Sequence, residues 1–286
     1  MSELLTCILD KVKKMPPIRS DTYKIIQILS KDNYSINEIA KIVEADVSLT
    51  ARCLRTVNSA SMGLRKEVIS IRHALNLLGS KSFLGIVLRE SVLDITPNPI
   101  EGYYTKTEEF WNDCLRSAIA SRILVTRSTL NIMPELAYTA ALLQDIGKIV
   151  IDEFFDRADF DNYNFMAPEN DKNFLDVEKT VFGTDHTIIG EQIAEVWQFP
   201  DSLTNVIRYH HTPSSAPKKY IDLVVVVHLG KVLATFTDTI GGVGSFEYRL
   251  DPIIEEYFKM DKKIVAELIC SIDMEFISTV RNFGWY

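Results

Sequence analysis

His186, His210, His211 and Asp145 are the residues of this 286-residue chain best suited to chemistry. Imidazoles that hold metal ions, with a carboxylate bridging them, are the parts of a di-metal hydrolase. His210 and His211 are adjacent, in Tyr209-His210-His211-Thr212-Pro213. Such a pair at a helix end is less common than a lone helical histidine, which usually plays a structural part. Spacing alone does not assemble the four, because separate helices would have to supply them. Buried polar groups that hold helices in register are the competing reading.

A second candidate is a helix-turn-helix, from Ser35 to Ala45, a turn at Asp46, then Val47 to Asn58. It would place Thr50, Arg52 and Arg55 in a major groove. The chain carries 31 Lys and Arg against 39 Asp and Glu, a net charge of −8. An acidic surface repels phosphate backbones, so two short helices crossing in a bundle is the favoured reading and nucleic acid a disfavoured partner. Gly241-Gly242-Val243-Gly244 lacks the lysine and flanking strand of a phosphate loop and reads as a turn. No nucleophile elbow and no H-E-x-x-H helix occurs.

The elements that must position these residues read as helices. Ile36, Ile39, Ala40 and Val43 form an apolar stripe behind a capping box of Ser35 and Glu38. Thr105 with Glu108 predicts a longer helix through Ile123, and Pro134 another that stops at Gly147. Asp185, Asp251 and Asp261 open three more, and the last reaches Val280. Val224–Val227 is β-branched but lies within helical spacing that ends at Phe236. Thr96–Thr105 reads as a connection between two helical halves, and Asp156–Asp171 as a long surface loop.

Composition agrees with a packed interior: 47% of residues are hydrophobic and 24% charged. The most apolar run, Leu223 to Phe236, carries His228 and Lys231 and is shorter than the roughly 20 apolar residues of a membrane span. Early charges at Glu3, Asp10 and Lys11 do not fit an export signal. Cys7, Cys53, Cys114 and Cys270 are far apart and read as reduced thiols of a cytoplasmic protein. The fold class expected is all-α: two lobes, with residues 1–104 an N-terminal helical lobe and residues 105–286 a helical bundle.

Several ordered motifs carry a family resemblance. Met15-Pro16-Pro17, then Val57-Asn58-Ser59-Ala60 with Gly63, then Ile71-Arg72-His73-Ala74-Leu75-Asn76-Leu77-Leu78-Gly79 resemble the N-terminal half of the HDOD domain. Leu142-Leu143-Gln144-Asp145-Ile146-Gly147-Lys148, Phe182-Gly183-Thr184-Asp185-His186 and Tyr209-His210-His211 resemble its second half. The resemblance runs from Met15 to Phe236. It implies an N-terminal lobe packed on a degenerate HD-phosphohydrolase bundle, in bacterial regulatory proteins that work without catalysis. HD and HD-GYP hydrolases hold metals through an ordered set of His, His-Asp, His, His-His and Asp.

Laid on that set, the first histidine falls at Asp113 and the His-Asp pair becomes Gln144-Asp145. His186, His210 and His211 match their histidines, and the final aspartate falls at Lys231. Glutamine is a weak neutral ligand, and lysine puts a cation where a metal needs an anion. The expectation is a vestigial cluster with no metal and no cofactor, in a protein that binds other signalling proteins. Alternatives are an active phosphohydrolase on nucleotides or cyclic dinucleotides, and a DNA-binding regulator. A groove between lobes, touched by Asn58, Ser59 and Arg72, is the expected contact surface, although Asn58 and Ser59 could simply satisfy a helix end. Lys231 is expected to pair with Asp145 or Asp113 in the absent metal's place, or to reach solvent.

Overall fold

The computed structural model describes residues 3–31, 34–59, 67–93, 103, 107–155, 174–237 and 250–283. Among them are fourteen α-helices and no strand. In chain order the first seven are α1 (Glu3–Lys13), α2 (Ser20–Leu29), α3 (Ile36–Ala45), α4 (Val47–Val57), α5 (Ile71–Leu93), α6 (Thr107–Arg127) and α7 (Pro134–Leu143). Then come α8 (Lys148–Ile151), α9 (Phe174–Phe182), α10 (His186–Val196), α11 (Asp201–Tyr209), α12 (Ile221–Thr235), α13 (Ile254–Tyr257) and α14 (Lys262–Phe283). No helix among the described residues is long and apolar enough to cross a membrane.

Two compact units result. One comprises Met1–Pro17 and Pro99–Ile272, the other Ile18–Asn98 and Asp273–Tyr286. These differ from a single cut after residue 104 at both ends of the chain. Ile8 and Val12 form the buried face of α1, which packs on α8 and α10. Trp197 Nε1 donates to the Pro16 carbonyl at 3.0 Å, so the first helix is tied to the larger unit.

In the smaller unit α2, α3 and α4 pack around α5, burying Ile25, Leu29, Ile39, Val43, Leu49, Val57 and Phe83. The capping box is not formed. The Glu38 amide, which the Ser35 hydroxyl would have to bind, instead donates to the Ser35 carbonyl at 2.9 Å. Asp46 does the capping one helix later, its Oδ1 accepting from the Leu49 amide at 2.6 Å. Thr50 and Arg52, two of the three side chains a groove-reading helix would present, are engaged within the unit. Thr50 Oγ1 donates to the Val43 carbonyl at 2.6 Å, and Arg52 lies 3.8 Å from the buried Glu90.

The Asn58 side chain clamps the backbone of Val68, donating to its carbonyl at 2.8 Å and accepting from its amide at 2.7 Å. Arg72 pairs with Glu44 at 3.4 Å on an exposed surface, a contact worth little. Asn58 is therefore spent inside its own unit. Gly79 interrupts α5 at φ 75°, ψ 167°, a region open almost only to glycine. A Cβ there would meet nothing within 4 Å, so Gly79→Ala tests backbone strain alone. A loss of about 1–3 kcal/mol in denaturant unfolding is expected. An unchanged midpoint would show that the chain relaxes out of this conformation.

In the larger unit α6 packs on α7 and α12, and α11 packs on α7, α10 and α12. From Leu223 to Lys231 every residue of α12 is buried, as a helix apolar on all sides must be. Val224–Val227 is thus helix despite its β-branching. Gly230 admits α6: a Cβ there would fall 2.3 Å from Ser121 Oγ and 2.9 Å from the Ser121 amide nitrogen. Asp185 and Asp261 act as caps, accepting from the amides of Thr187 and Ile264, whereas Asp251 accepts from the Ile253 amide in the turn before α13, which starts at Ile254 with no side-chain cap. Pro134 opens α7, which ends at Leu143; a turn over Gln144–Gly147 then leads into α8. Thr96–Thr105 (Tyr103 apart), Asp156–Asp171 and Gly241–Gly244 lie outside the described residues.

Candidate functional site

Five helices bring one cluster together. The turn after α7 delivers Asp145, fully buried. His186 is the first residue of α10, fixed by the Asp185 cap. His210 and His211 follow α11, Lys231 comes from α12, and Asp113 from α6. The approach of the Asp145 turn to α10 is close, since a Cβ on Gly147 would stand 1.9 Å from the His186 carbonyl oxygen.

The imidazole nitrogens converge. His186 Nε2 lies 3.1 Å from His211 Nε2 and 3.4 Å from His210 Nε2. Asp145 Oδ1 lies 3.4 Å from His186 Nε2 and 3.7 Å from His210 Nε2. All four donor atoms fall within 4.8 Å of one another. On the other oxygen of the same carboxylate sits Lys231 Nζ, 3.1 Å from Asp145 Oδ2 and in contact with Asp113. Lys148 Nζ adds a second ammonium 3.2 Å from Oδ1.

Electrostatics follow from this packing. Burial pushes the Asp145 carboxyl up, but Lys148 and Lys231 outweigh it and hold the group well below the usual carboxylate range. Burial lowers His210, and Asp145 beside it offsets this only in part. His211 is held well below the usual imidazole value by burial and then by the two neighbouring histidines. Burial, then Asp145 and Asp113, push the Cys114 thiol far up, so it is no nucleophile.

Gln144 is buried beside Asp145 in sequence, and neither of its amide atoms has a hydrogen-bond partner among the described residues. Sequence reading missed Glu178. This buried carboxylate on α9 accepts from the His186 amide at 2.7 Å and lies 2.8 Å from His186 Nδ1. Tyr103 donates its hydroxyl to Glu178 at 2.6 Å, and its ring lies under the Lys148 ammonium. A signal existed: Leu175, Glu178 and Phe182 form one buried helical stripe, so the carboxylate occupies a core position. His228, seen in the sequence only as an interruption of an apolar run, lies 2.7 Å from the His210 carbonyl through Nδ1 and accepts from the Asp251 amide through Nε2.

Such a set can hold one cation on three nitrogens and an oxygen, with an ammonium already seated on the outer carboxylate oxygen. It offers a second metal no anionic cradle, because Asp113 and Asp145 Oδ2 are both engaged by Lys231.

The chain is similar along nearly its whole length to solved helical proteins. It shares 24% identity with a protein of Shewanella amazonensis SB2B provisionally named a phosphohydrolase, covering 98% of both chains at a TM-score of 0.66. It shares 22% identity with an HDOD domain protein of unknown function from Geobacter sulfurreducens, covering 98% of this chain and 97% of that one, TM-score 0.66. A third, from Marinobacter aquaeolei VT8 and provisionally named a signal transduction protein, is 19% identical with a TM-score of 0.73 over 99% of this chain and 65% of that one. An uncharacterized protein of Treponema pallidum (strain Nichols) is 24% identical over 241 residues, 83% of this chain. The match spans 45% of that relative's length. The HDOD domain profile matches residues 15–213, from Met15 through the His210-His211 pair, and α12 with Lys231 lies beyond it. With most of its length inside that match, the chain belongs to the HDOD domain family.

Proposed function

We propose that this chain is a cytoplasmic signal-transduction module that acts by binding other proteins and does not hydrolyse phosphoesters. The observation that carries the reading is Lys231 Nζ on Asp145 Oδ2 and Asp113. A two-metal hydrolase clamps the attacking and leaving oxygens with two cations. An ammonium supplies charge in such a place, but it is not a Lewis acid and activates no bound water. The name carried by the Marinobacter relative fits a signalling role. Were a metal bound by Asp145, His186, His210 and His211, it would supply Lewis acidity to a coordinated oxygen, which keeps a phosphohydrolase as the second reading. Purified protein given manganese or ferrous iron is expected to show no turnover of nucleoside monophosphates, cyclic dinucleotides or bis-(p-nitrophenyl) phosphate. Turnover that disappears in His210→Ala would establish the second reading. Affinity purification of the intact protein from its host tests the binding role.

A further inference from the structure

We infer that the larger unit carries a second ligand site, distinct from the histidine cluster, for a small carboxylate with an apolar body about the size of octanoate. The site shares no residue with the cluster, so it stands whether or not the chain hydrolyses phosphoesters.

A cavity lies where the end of α6 meets the chain running from α13 into α14. Its volume is about 330 Å³. A water molecule's share of the liquid is about 30 Å³, so the space takes about eleven such groups, close to the non-hydrogen atom count of octanoate. The deepest lining residues are apolar: Leu124 of α6 is 2% exposed and Leu268 of α14 is 3% exposed. Leu130, Phe258 and Met260, each half-buried, carry that surface outward to Ile264, which is 38% exposed although apolar. An alkyl chain laid here removes apolar area from water, which drives binding.

The rim sets the sign of the ligand. Arg127 and Lys259 line it, both exposed, and no Asp or Glu is among the lining residues. That runs against the composition of the chain, with 39 acidic residues to 31 basic ones. Arg127 Nη2 donates to the Ser271 hydroxyl at 2.9 Å, a neutral partner. Among the described residues neither cation forms an ion pair with a carboxylate. Asp261, next along the chain, is turned to the Ile264 amide at 2.8 Å as the cap of α14. Burial and then Asp222 push the Tyr257 hydroxyl up, so this lining residue adds no negative charge at neutral pH. A carboxylate is the planar acceptor that a guanidinium fork meets with two parallel bonds. Apolar depth beneath a cationic rim matches an anion with a hydrocarbon body.

The test is a chemical-shift titration of the nitrogen-15-labelled full chain with sodium octanoate at low salt. It is expected to saturate at a single site with a Kd of about 1 mM or lower, the shifted amides lying at 127–130 and 257–264. Octanol has the hydrocarbon without the charge and inorganic phosphate the charge without the hydrocarbon, so both should bind more weakly. Arg127→Gln combined with Lys259→Gln should weaken octanoate about tenfold and leave octanol unchanged, a split that loss of fold would not produce. Ile264→Glu, at an exposed position, sets a carboxylate in the lining and should weaken octanoate at least as much. Octanol or phosphate binding as tightly as octanoate, octanoate binding unmoved by these variants, or no saturation by about 10 mM overturns the inference.

Discussion

Replacement of Lys231 by methionine is expected to cost the metal-free protein about 3 kcal/mol of unfolding free energy, the lower end of the range for removing one partner of a buried ion pair. Methionine keeps the length and apolar stem of lysine, so the loss reports the ammonium rather than a cavity. Lys231 is 2% exposed and Asp145 0%, so the charge left behind cannot reach water. Two features hold the loss down. Lys148 remains 3.2 Å from Asp145 Oδ1, and Asp113, at 40% exposure, can rehydrate. The pH dependence has a definite sign. A carboxyl held below its unfolded value contributes stability above that value, and the contribution fades as pH falls through the folded one. The gap between wild type and Lys231→Met should therefore be full at neutral pH and narrow below about pH 4. Denaturant unfolding in EDTA measures it, and a loss under about 1 kcal/mol would mean the ammonium does not neutralise Asp145. Lys231→Asp adds a third carboxylate and should lose more.

Much of this architecture was legible in the sequence because helical periodicity is local. Apolar spacing marked α3, α7, α10 and α12, and Asp185 and Asp261 announced helix starts by residue type alone. What failed depended on contacts between distant parts of the chain. The burial of Ile8 and Val12 is decided by α10, so no cut drawn along the sequence would assign α1 to the larger unit. The Ser35 cap failed for a geometric reason, since its target amide was already bound by a backbone carbonyl.

The site divides the same way. Ordered motifs picked out His186, His210, His211, Asp145 and Lys231, and the pairing of Lys231 with both carboxylates was one of the two alternatives the sequence left open. Lys148 escaped because a single base in a helix has no spacing to mark it, and Glu178, although on the stripe of Leu175 and Phe182, because a lone carboxylate on that stripe names no partner.

Gly147→Ala is expected to destabilise the protein by about 3 kcal/mol, at the severe end for overpacking. Backbone strain does not enter, because Gly147, the residue before α8, has ordinary helical angles, φ −65° and ψ −25°. The cost is steric. The added Cβ would stand 1.9 Å from the His186 carbonyl oxygen and 2.6 Å from the Gly190 amide nitrogen. Both are backbone atoms of α10, which no rotamer change can move aside, so the Asp145 turn and the first turn of α10 must separate. Gly190→Ala is the instructive comparison, because its nearest neighbour is a side-chain methyl of Ile207 at 2.6 Å, which has some freedom to yield. For a unit of this size, 3 kcal/mol corresponds to a fall in Tm of about 6–12 °C, and Gly190→Ala should fall less. Separation of the two turns also pulls His186 from Asp145, now 3.4 Å apart. A variant that melts with wild type would show that the approach of the Asp145 turn to α10 yields without cost.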